Sequence, residues 1–279
     1  MKSRAFGQTG VSLPIIGQGT WEMQHDTQPE VALRHGIDLG MTHIDTAELY
    51  GSGAVERIVG KAIAGRRHDL YLVSKVIPSN ASAKGTLAAC ERSLRALATD
   101  YLDLYLLHWP GSHPLEETFE AFERLQARGH IRAYGVSNFD VDDLREATAL
   151  VGASRIACNQ VYYQPGERAI EQHVLPACEA MGIPVVAYSP LGNGRMPPPS
   201  TQAGRALATI AASRDVSVQQ VALRFVVRHA HVFAIPKAST VAHVSDNAAA
   251  GDWALSDDEI MALEAACPPP SKTPGIPML

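Results

Sequence analysis

The chain alternates between short apolar runs and longer stretches in which apolar residues recur every three or four positions. The short runs are aliphatic and are bounded by Gly, Pro, Asn, Asp or Ser, which is typical of buried parallel strands. They predict eight strands: Leu13–Gly17, Thr42–Asp45, Leu70–Lys75, Leu102–His108, Ala133–Val136, Ala157–Val161, Pro184–Tyr188 and Val232–Ile235.

The longer stretches have the spacing of amphipathic helices with one buried face. Asp140 is placed to cap one helix at its start, and Gly129 and Gly182 follow two others as C-terminal caps. The predicted helices are Pro29–Leu39, Ala54–Ala64, Ser82–Leu97, Pro114–Ala127, Val141–Val151, Ile170–Met181 and Ser217–Val227.

Eight strands that alternate with helices predict an α/β fold, a (β/α)8 TIM barrel, with an open doubly wound sheet as the alternative. Near the N-terminus, Arg4–Phe6 and Val11–Leu13 predict a β-hairpin that closes the barrel floor. Stretches rich in Pro and Gly predict a loop at residues 192–200 and an irregular tail at roughly 268–279. No linker divides the chain, so we expect a single domain over residues 1–279.

Composition narrows the class of protein. The 279 residues carry a formal net charge of −5, which argues against nucleic acid as a partner. No apolar run is long enough to span a membrane, and no signal peptide is visible. The four cysteines form no CxxC pair, and His229 and His231 lack a third ligand at useful spacing, so no metal site is expected. We expect a cytoplasmic protein, and a monomer.

Polar side chains stand at the ends of several predicted strands, where barrel enzymes gather their chemistry. They are Asp45, Lys75, His108, the Asn159–Gln160 pair and Tyr188, with Tyr50 in the loop after Asp45. Each alone has an ordinary structural reading as a cap, an edge residue or a hydrogen-bonding side chain. Together they predict a carboxylate, an ammonium, an imidazole and a phenol in one barrel mouth.

This combination has a chemical logic. A phenol is a poor acid at neutral pH, and a nearby ammonium lowers its pKa toward the working range. A buried carboxylate keeps the ammonium charged, and an imidazole can orient a carbonyl oxygen. These groups can protonate an oxygen while a hydride arrives at carbon. None of them supplies the hydride, so the cluster implies a cofactor.

Seven segments between Gly17 and Asn247 resemble signatures of the aldo-keto reductases, in the order of that family. They are Met41–Gly51 (MTHIDTAELYG), Val73–Val76 (VSKV), Leu106–Pro110 (LLHWP), Gly129–Phe139 (GHIRAYGVSNF), Asn159–Gln160, Tyr188–Gly192 (YSPLG) and Ile235–Lys237 (IPK).

The resemblance implies an NAD(P)H-dependent reductase of aldehydes and ketones. Tyr50 would donate the proton, Lys75 and Asp45 would tune it, and His108 would position the substrate carbonyl. The implied substrate pocket is lined by Trp21, Tyr50, His108, Trp109 and Phe139. The implied cofactor contacts are Gly19, Thr20, Trp21, Asp45, Ser137, Asn138, Gln160, Tyr188, Ser189, Pro190, Leu191, Gly192, Ile235, Lys237, Ser239, His243, Asp246 and Asn247.

The chain departs from the family pattern near its end. His243 stands where many members carry Arg, and Asp246 stands where many carry Glu. A histidine offers a 2′-phosphate less charge than an arginine does at neutral pH. We therefore expect NADPH as the cofactor, with NADH weaker by a modest margin. The brief tail predicts an open pocket for small carbonyl substrates.

Other functions stay open at this point. Barrels of this family can serve as cofactor-sensing regulatory subunits, and Lys75 could act as the Schiff-base amine of a lyase or aldolase. Tyr71 and Lys75 also spell the Y-x-x-x-K pair of short-chain dehydrogenases. That pair works from a helix, however, whereas this segment is a predicted strand.

Overall fold

The computed structural model describes residues 1–270 and 275–279. Within these residues, no helix is both long and apolar enough to cross a membrane. Residues 268–270 and 275–279 contain no helix or strand, as predicted for the tail. The remainder of that prediction, residues 271–274, lies outside the described residues.

A two-stranded antiparallel hairpin precedes the barrel. Strand β1 (Ser3–Ala5) pairs with β2 (Ser12–Pro14). The Phe6 ring lies edge-on to the rings of Tyr71 and Phe233, with centroids 5.7 and 5.1 Å away, inside the barrel. The hairpin therefore closes the end at which the barrel strands begin, which confirms the predicted floor.

Eight parallel strands follow, each paired with its neighbour in sequence. The last returns to the first: the Gly17 N–H donates to the Ala234 carbonyl at 2.8 Å, and the Gly19 N–H donates to the Pro236 carbonyl at 3.1 Å. The sheet closes on itself, so the predicted barrel is confirmed and the open sheet is excluded. The strands are β3 (Gln18–Gly19), β4 (His43–Asp45), β5 (Tyr71–Val76), β6 (Leu102–Leu107), β7 (Ile131–Ser137), β8 (Ile156–Tyr162), β9 (Val185–Tyr188) and β10 (Val232–Ile235).

The prediction of the first barrel strand, Leu13–Gly17, is wrong. Residues 12–14 belong to the hairpin, and the barrel strand is β3. Every residue from 13 to 20 is buried, because the chain passes directly from the hairpin into the barrel wall. An apolar run marks burial but does not show where one strand ends and the next begins. Gly19 lets β3 approach β10, since a Cβ there would lie 2.6 Å from the Ile235 carbonyl oxygen.

Helices surround the barrel. Asp140 caps α5 (Val141–Val151) through a reciprocal capping box with Asp143, as predicted. Gly182 follows α6 (Val174–Met181) in the left-handed conformation, also as predicted. The helices are α1 (Pro29–Asp38), α2 (Ala54–Ile63), α3 (Ala83–Leu97), α4 (Leu115–Ala127), α5 (Val141–Val151), α6 (Val174–Met181), α7 (Gln202–Arg214), α8 (Val218–Val226), α9 (Val241–Ala249) and α10 (Asp257–Ala266).

The sequence did not predict α7, α9 or α10. Their buried faces are narrow: α10 buries Leu263 and Ala266, and α9 buries Val244, Asn247 and Ala248. Helices α7 and α10 instead pack with α8 in a separate apolar cluster that includes Leu207 and Phe225. These helices depend on tertiary contacts, so their periodicity in the sequence is weak.

Candidate active site

The predicted catalytic side chains meet at one end of the barrel. Asp45 ends β4, Lys75 is the penultimate residue of β5, and His108 directly follows β6. Because neighbouring strands are parallel, their carboxyl ends share one rim. The opposite rim is covered by the hairpin, so this mouth is the end that a ligand can reach.

The Lys75 ammonium is fully buried and is held by three oxygens. It donates to Asp45 Oδ1 at 2.6 Å, to the Thr46 carbonyl at 2.9 Å and to the Tyr50 hydroxyl at 3.2 Å. An ammonium has three donors, so its hydrogen-bonding capacity is used completely. The other carboxylate oxygen of Asp45 accepts from the Gln160 amide at 2.7 Å.

Tyr50 brings its phenol to this ammonium from the loop between β4 and α2. The tyrosine is 8% exposed, whereas Trp21 beside it is 44% exposed. The Trp21 and His108 rings lie edge-on to the Tyr50 ring, with centroids 5.0 and 5.8 Å away. The phenol is therefore enclosed by Lys75 beneath and by two rings at the sides.

The pKa values of the pair reflect burial and mutual charge. Burial disfavours the charged lysine, but Asp45 and Tyr50 outweigh it, and the pKa of Lys75 is raised above its ordinary value. Burial also raises the pKa of Tyr50, while the charge of Lys75 acts to lower it. The charge of Lys75 alone predicts a net lowering of the Tyr50 pKa, and that prediction is wrong because burial has the larger effect.

His108 is held neutral. Burial, and then the charge of Lys75, lower the pKa of its imidazole to about 2. Its Nδ1 is buried and has no hydrogen-bond partner within residues 1–270 and 275–279. The Trp109 ring is tilted against the imidazole, with 4.7 Å between centroids. A neutral imidazole can donate one hydrogen bond to a carbonyl oxygen at any working pH above its pKa.

A row of hydroxyl and amide groups continues around the rim. Ser137 Oγ donates to the Gln160 carbonyl at 2.8 Å, and the Asn138 amide donates to the His108 carbonyl at 3.0 Å. Tyr188 donates its hydroxyl hydrogen to Asn138 Oδ1 at 3.0 Å. Thr20 Oγ1 donates to the Asp45 carbonyl at 2.8 Å. The predicted contacts for the carboxamide end of a cofactor thus form one connected network.

The turn after β9 offers mainly its backbone. Ser189 has a left-handed φ of 46°, and its hydroxyl donates to Asn193 Oδ1 at 2.9 Å. Pro190 and Gly192 are buried, and Leu191 packs against the hydrophobic core. Among the predicted contacts in this turn, Ser189 is therefore the one with a polar side chain near the surface.

The far side of the mouth contains the predicted contacts for the adenosine end. Lys237 follows β10, and its ammonium bonds Ser239 Oγ at 3.3 Å. His243 is exposed in the first turn of α9, and Asn247 is buried one turn further on. Asp246 instead points to α8, where its oxygens accept from Ser217 Oγ and the Gln220 amide at 2.7 Å each. These hydrogen bonds fix the carboxylate of Asp246 against the start of α8, and its contact with the cofactor stays a prediction.

One residue that was predicted to line the substrate pocket, Phe139, lies in the hydrophobic core instead. Phe139 has no exposed surface and lies within the main hydrophobic cluster. The prediction that it lines the pocket is therefore wrong. Its apolar character suits either location, and only packing decides between them. The other predicted pocket residues adjoin one another at the mouth: the Trp21 ring lies against Tyr50, Tyr50 against His108, and His108 against Trp109.

Sequence reasoning missed two acidic residues near the site. Glu48 Oε1 accepts from the Ile77 N–H at 3.1 Å and from the Asn80 amide at 2.9 Å, while Oε2 accepts from Arg92 at 2.9 Å. Glu48 thereby ties the loop that carries Tyr50 to the loop after β5. The signal was its place two residues before Tyr50, but the spacing does not show its partners.

The second is Asp26, whose Oδ1 lies 2.8 Å from the Lys237 ammonium. Asp26 and Lys237 are 211 positions apart, so no local pattern pairs them.

The donors at the mouth fit a nicotinamide dinucleotide. Amides and hydroxyls at the centre suit a carboxamide, and Lys237, Ser239 and the first turn of α9 suit an anion. A cavity of about 510 Å³ adjoins that turn. Among the described residues, no group of His, Cys, Asp or Glu could hold a metal ion. The fold and site together define an oxidoreductase of the barrel class.

The family model described as Aldo/keto reductase family matches residues 15–267. The methylglyoxal reductase of Escherichia coli is 46% identical over 273 residues, which are 96% of each chain. The glyoxal reductase of Bacillus subtilis is 34% identical over 256 residues, 92% of this chain and 90% of that one. An aldo/keto reductase structure from Klebsiella pneumoniae, solved with NADP and acetate, has 44% identity and a TM-score of 0.93 over both full chains. The chain belongs to the aldo/keto reductase family.

Proposed function

We propose that the protein reduces small aldehydes and ketones to alcohols with NADPH, and that 2-oxoaldehydes such as methylglyoxal are its substrate class. One observation carries the proposal: the Tyr50 hydroxyl lies 3.2 Å from the buried Lys75 ammonium, and the rings of His108 and Trp21 flank the Tyr50 ring. The similar E. coli and B. subtilis proteins are methylglyoxal and glyoxal reductases, which supports the substrate class.

The chain supplies the acid and the orienting groups. Neutral His108 donates a hydrogen bond to the substrate carbonyl oxygen and turns it toward Tyr50. Tyr50 transfers its hydroxyl proton to that oxygen, and Lys75 stabilises the phenolate that remains. Asp45 keeps Lys75 charged throughout. The bound NADPH would supply the hydride to the carbonyl carbon.

The cofactor would lie across the mouth along the network already described. Ser137, Asn138 and Gln160 would hold the carboxamide, and Tyr188 would pack on the nicotinamide ring. Ser189 with the backbone of its turn would follow the pyrophosphate. Lys237, Ser239 and His243 would hold the adenosine end, with NADPH preferred over NADH by a modest margin. Solved relatives from K. pneumoniae contain NADP and NADPH.

A Schiff-base mechanism is disfavoured by the surroundings of Lys75. An attacking amine must be neutral and accessible. Lys75 has no exposed surface, its three donors are bonded to oxygens, and its pKa is raised. A regulatory role would show as cofactor binding without turnover. We further propose a cytoplasmic monomer, in keeping with four free, buried cysteines.

The test is a panel of carbonyl compounds with NADPH and with NADH, followed at the nicotinamide absorbance. Methylglyoxal, glyoxal, a simple aliphatic aldehyde, an aromatic aldehyde and a ketone separate the substrate classes. The proposal expects turnover with NADPH and the highest kcat/KM for a 2-oxoaldehyde. Tight NADPH binding with no oxidation of it by any carbonyl would instead support the regulatory role.

A further inference from the structure

Asp26 forms an ion pair with Lys237, whose ammonium the proposed function assigns to the cofactor's phosphate. Its Oδ1 lies 2.8 Å from Lys237 Nζ, and the Asp26 side chain is only 9% exposed, whereas that of Lys237 is 27% exposed. The second oxygen, Oδ2, is buried and has no hydrogen-bond partner among the residues that the structure describes. An ion pair this enclosed is weakly screened by solvent.

The loop between β3 and α1 presents this carboxylate. A 3₁₀ turn at Met23–His25 precedes Asp26, and the Asp26 N–H donates to the Met23 carbonyl at 3.1 Å. Asp26 and Ser239 both line the same cavity, which lies between the start of α1 and the start of α9. A ligand that reaches Lys237 and Ser239 through this cavity therefore meets Asp26.

NADPH and NADH present different groups at this position. The 2′-phosphate of NADPH would bring a dianion toward a carboxylate, and it would have to share or displace Asp26 from Lys237. The ribose of NADH carries a 2′-hydroxyl there, which can donate to a carboxylate oxygen, the use that dinucleotide sites make of an acidic residue. Asp26 Oδ2 is a buried acceptor to which no described residue donates a hydrogen bond.

We propose that Asp26 is a specificity-determining residue for the cofactor, which limits the preference for NADPH over NADH by pairing with Lys237. The proposal rests on the proposed function, because it assumes a dinucleotide whose adenosine end lies at Lys237. It adds a residue that belongs to none of the signature segments.

The first experiment measures cofactor affinity without turnover. NADPH and NADH are titrated separately into the ligand-free protein and into Asp26→Asn, with quenching of the intrinsic tryptophan fluorescence as the readout. The substitution keeps the size of the side chain and removes its charge. The Kd for NADPH should fall by about tenfold, the effect of one charge-assisted contact, and the Kd for NADH should stay the same or rise.

The matched control is Glu30→Gln in the first turn of α1. It removes the same charge near the cavity, but Glu30 neither lines the cavity nor pairs with Lys237. Its ratio of NADH to NADPH dissociation constants should stay close to that of the parent protein. An equal gain in this variant would overturn the proposal, because the effect would then follow net charge alone.

A second measurement needs no variant, in case Asp26→Asn fails to fold. Adenosine 2′,5′-bisphosphate and adenosine 5′-monophosphate are titrated into the parent protein, and their Kd values give the contribution of the 2′-phosphate. The proposal expects a preference for the bisphosphate of less than about tenfold. A preference of about a hundredfold or more would show that Asp26 does not hinder the phosphate.

The outcomes separate the two proposals. If neither dinucleotide binds the parent protein, the proposed function fails. If both bind but Asp26→Asn leaves the ratio of their dissociation constants unchanged, only the role of Asp26 fails. Weaker NADPH binding in Asp26→Asn would also overturn that role, because the carboxylate would then be positioning Lys237 for the phosphate.

Discussion

Gln160 donates its amide hydrogen to Asp45 Oδ2 at 2.7 Å, although the two residues are 115 positions apart. Asp45 Oδ1 is simultaneously bound by Lys75. The carboxylate therefore joins the acid–base cluster to the row of side chains proposed to hold the nicotinamide. The proposed cofactor site and the proposed catalytic cluster therefore share this residue, and we expect a substitution in either one to affect the other.

Tyr50→Phe should bind NADPH as the parent does and lose turnover by about 10²–10⁴-fold, the usual contribution of a general acid. Steady-state kinetics with methylglyoxal and a fluorescence titration with NADPH measure the two quantities. Tyr105→Phe is the matched control, because that hydroxyl is buried on β6 and forms no hydrogen bond with the described part of the chain. Near-parental turnover in Tyr50→Phe would show that another group donates the proton.

Lys75→Met and Asp45→Asn should act through the same phenol. Lys75 lowers the pKa of Tyr50, so its removal should raise that pKa further. Reduction requires the protonated phenol, and the decline of the rate at high pH should therefore move to higher pH while the maximal rate falls. In the double variant the losses should be less than additive, since the residues belong to one network. Additive losses in kcat would contradict the coupling.

His108→Ala should reduce kcat/KM for the carbonyl substrate by more than about tenfold and change the Kd for NADPH by no more than a few-fold. The imidazole is neutral and faces Tyr50 at 5.8 Å between ring centroids, so its role is toward substrate. His113→Ala, in the loop that follows, is the control. A large loss of cofactor affinity in His108→Ala would mean that the imidazole contacts the dinucleotide.

Glu48→Ala should lower kcat by about tenfold with little change in the Kd for NADPH, because the loop that carries Tyr50 loses its ties to Ile77 and Asn80. Glu48→Gln keeps an acceptor oxygen for both donors and should restore most of the rate. Equal losses in the two variants would point to the ion pair with Arg92 instead. Thermal unfolding of each variant separates positioning from general destabilisation.

Stability should decrease as the pH falls below about 6.5. Burial, assisted by Lys75, lowers the pKa of His43 to about 3 and that of His108 to about 2. The pKa of an unfolded histidine is about 6.5. At a pH between the folded and the unfolded pKa, the unfolded chain therefore binds a proton that the folded chain does not. Each histidine should therefore remove up to ~1.4 kcal/mol of unfolding free energy per pH unit below that point.

Urea unfolding across this pH range tests the prediction. His43→Phe should flatten the pH dependence of the unfolding free energy. The substitution suits the site because the rings of Phe6 and Tyr71 lie edge-on to His43, and neither ring nitrogen of His43 has a hydrogen-bond partner among the described residues. His68→Asn is the control, since that side chain is 81% exposed. The same slope in parent and His43→Phe would refute the assignment of the effect to this histidine.

The sequence by itself determined the barrel and the four side chains at its centre. Buried parallel strands are short apolar runs, and residues that end such strands must share a rim, so Asp45, Lys75 and His108 could be brought together without coordinates. Tyr50 followed because its loop leaves the same rim. The N-terminal hairpin could also be predicted from the sequence, because its two strands are close together in the chain and a short turn links them.

Tertiary structure decided the features that depend on distant pairs and on dehydration. The ion pair of Asp26 with Lys237 spans 211 positions, and Asp246 accepts hydrogen bonds from Ser217 and Gln220 at the start of α8. An apolar side chain such as Phe139 suits a pocket wall as well as a core, and only the packing shows that it lies in the core. Burial raises the pKa of Tyr50, whereas the neighbouring charge of Lys75 alone predicts that the pKa is lowered. Local periodicity reports which faces are buried, whereas partners and solvent exclusion exist only once the chain has closed.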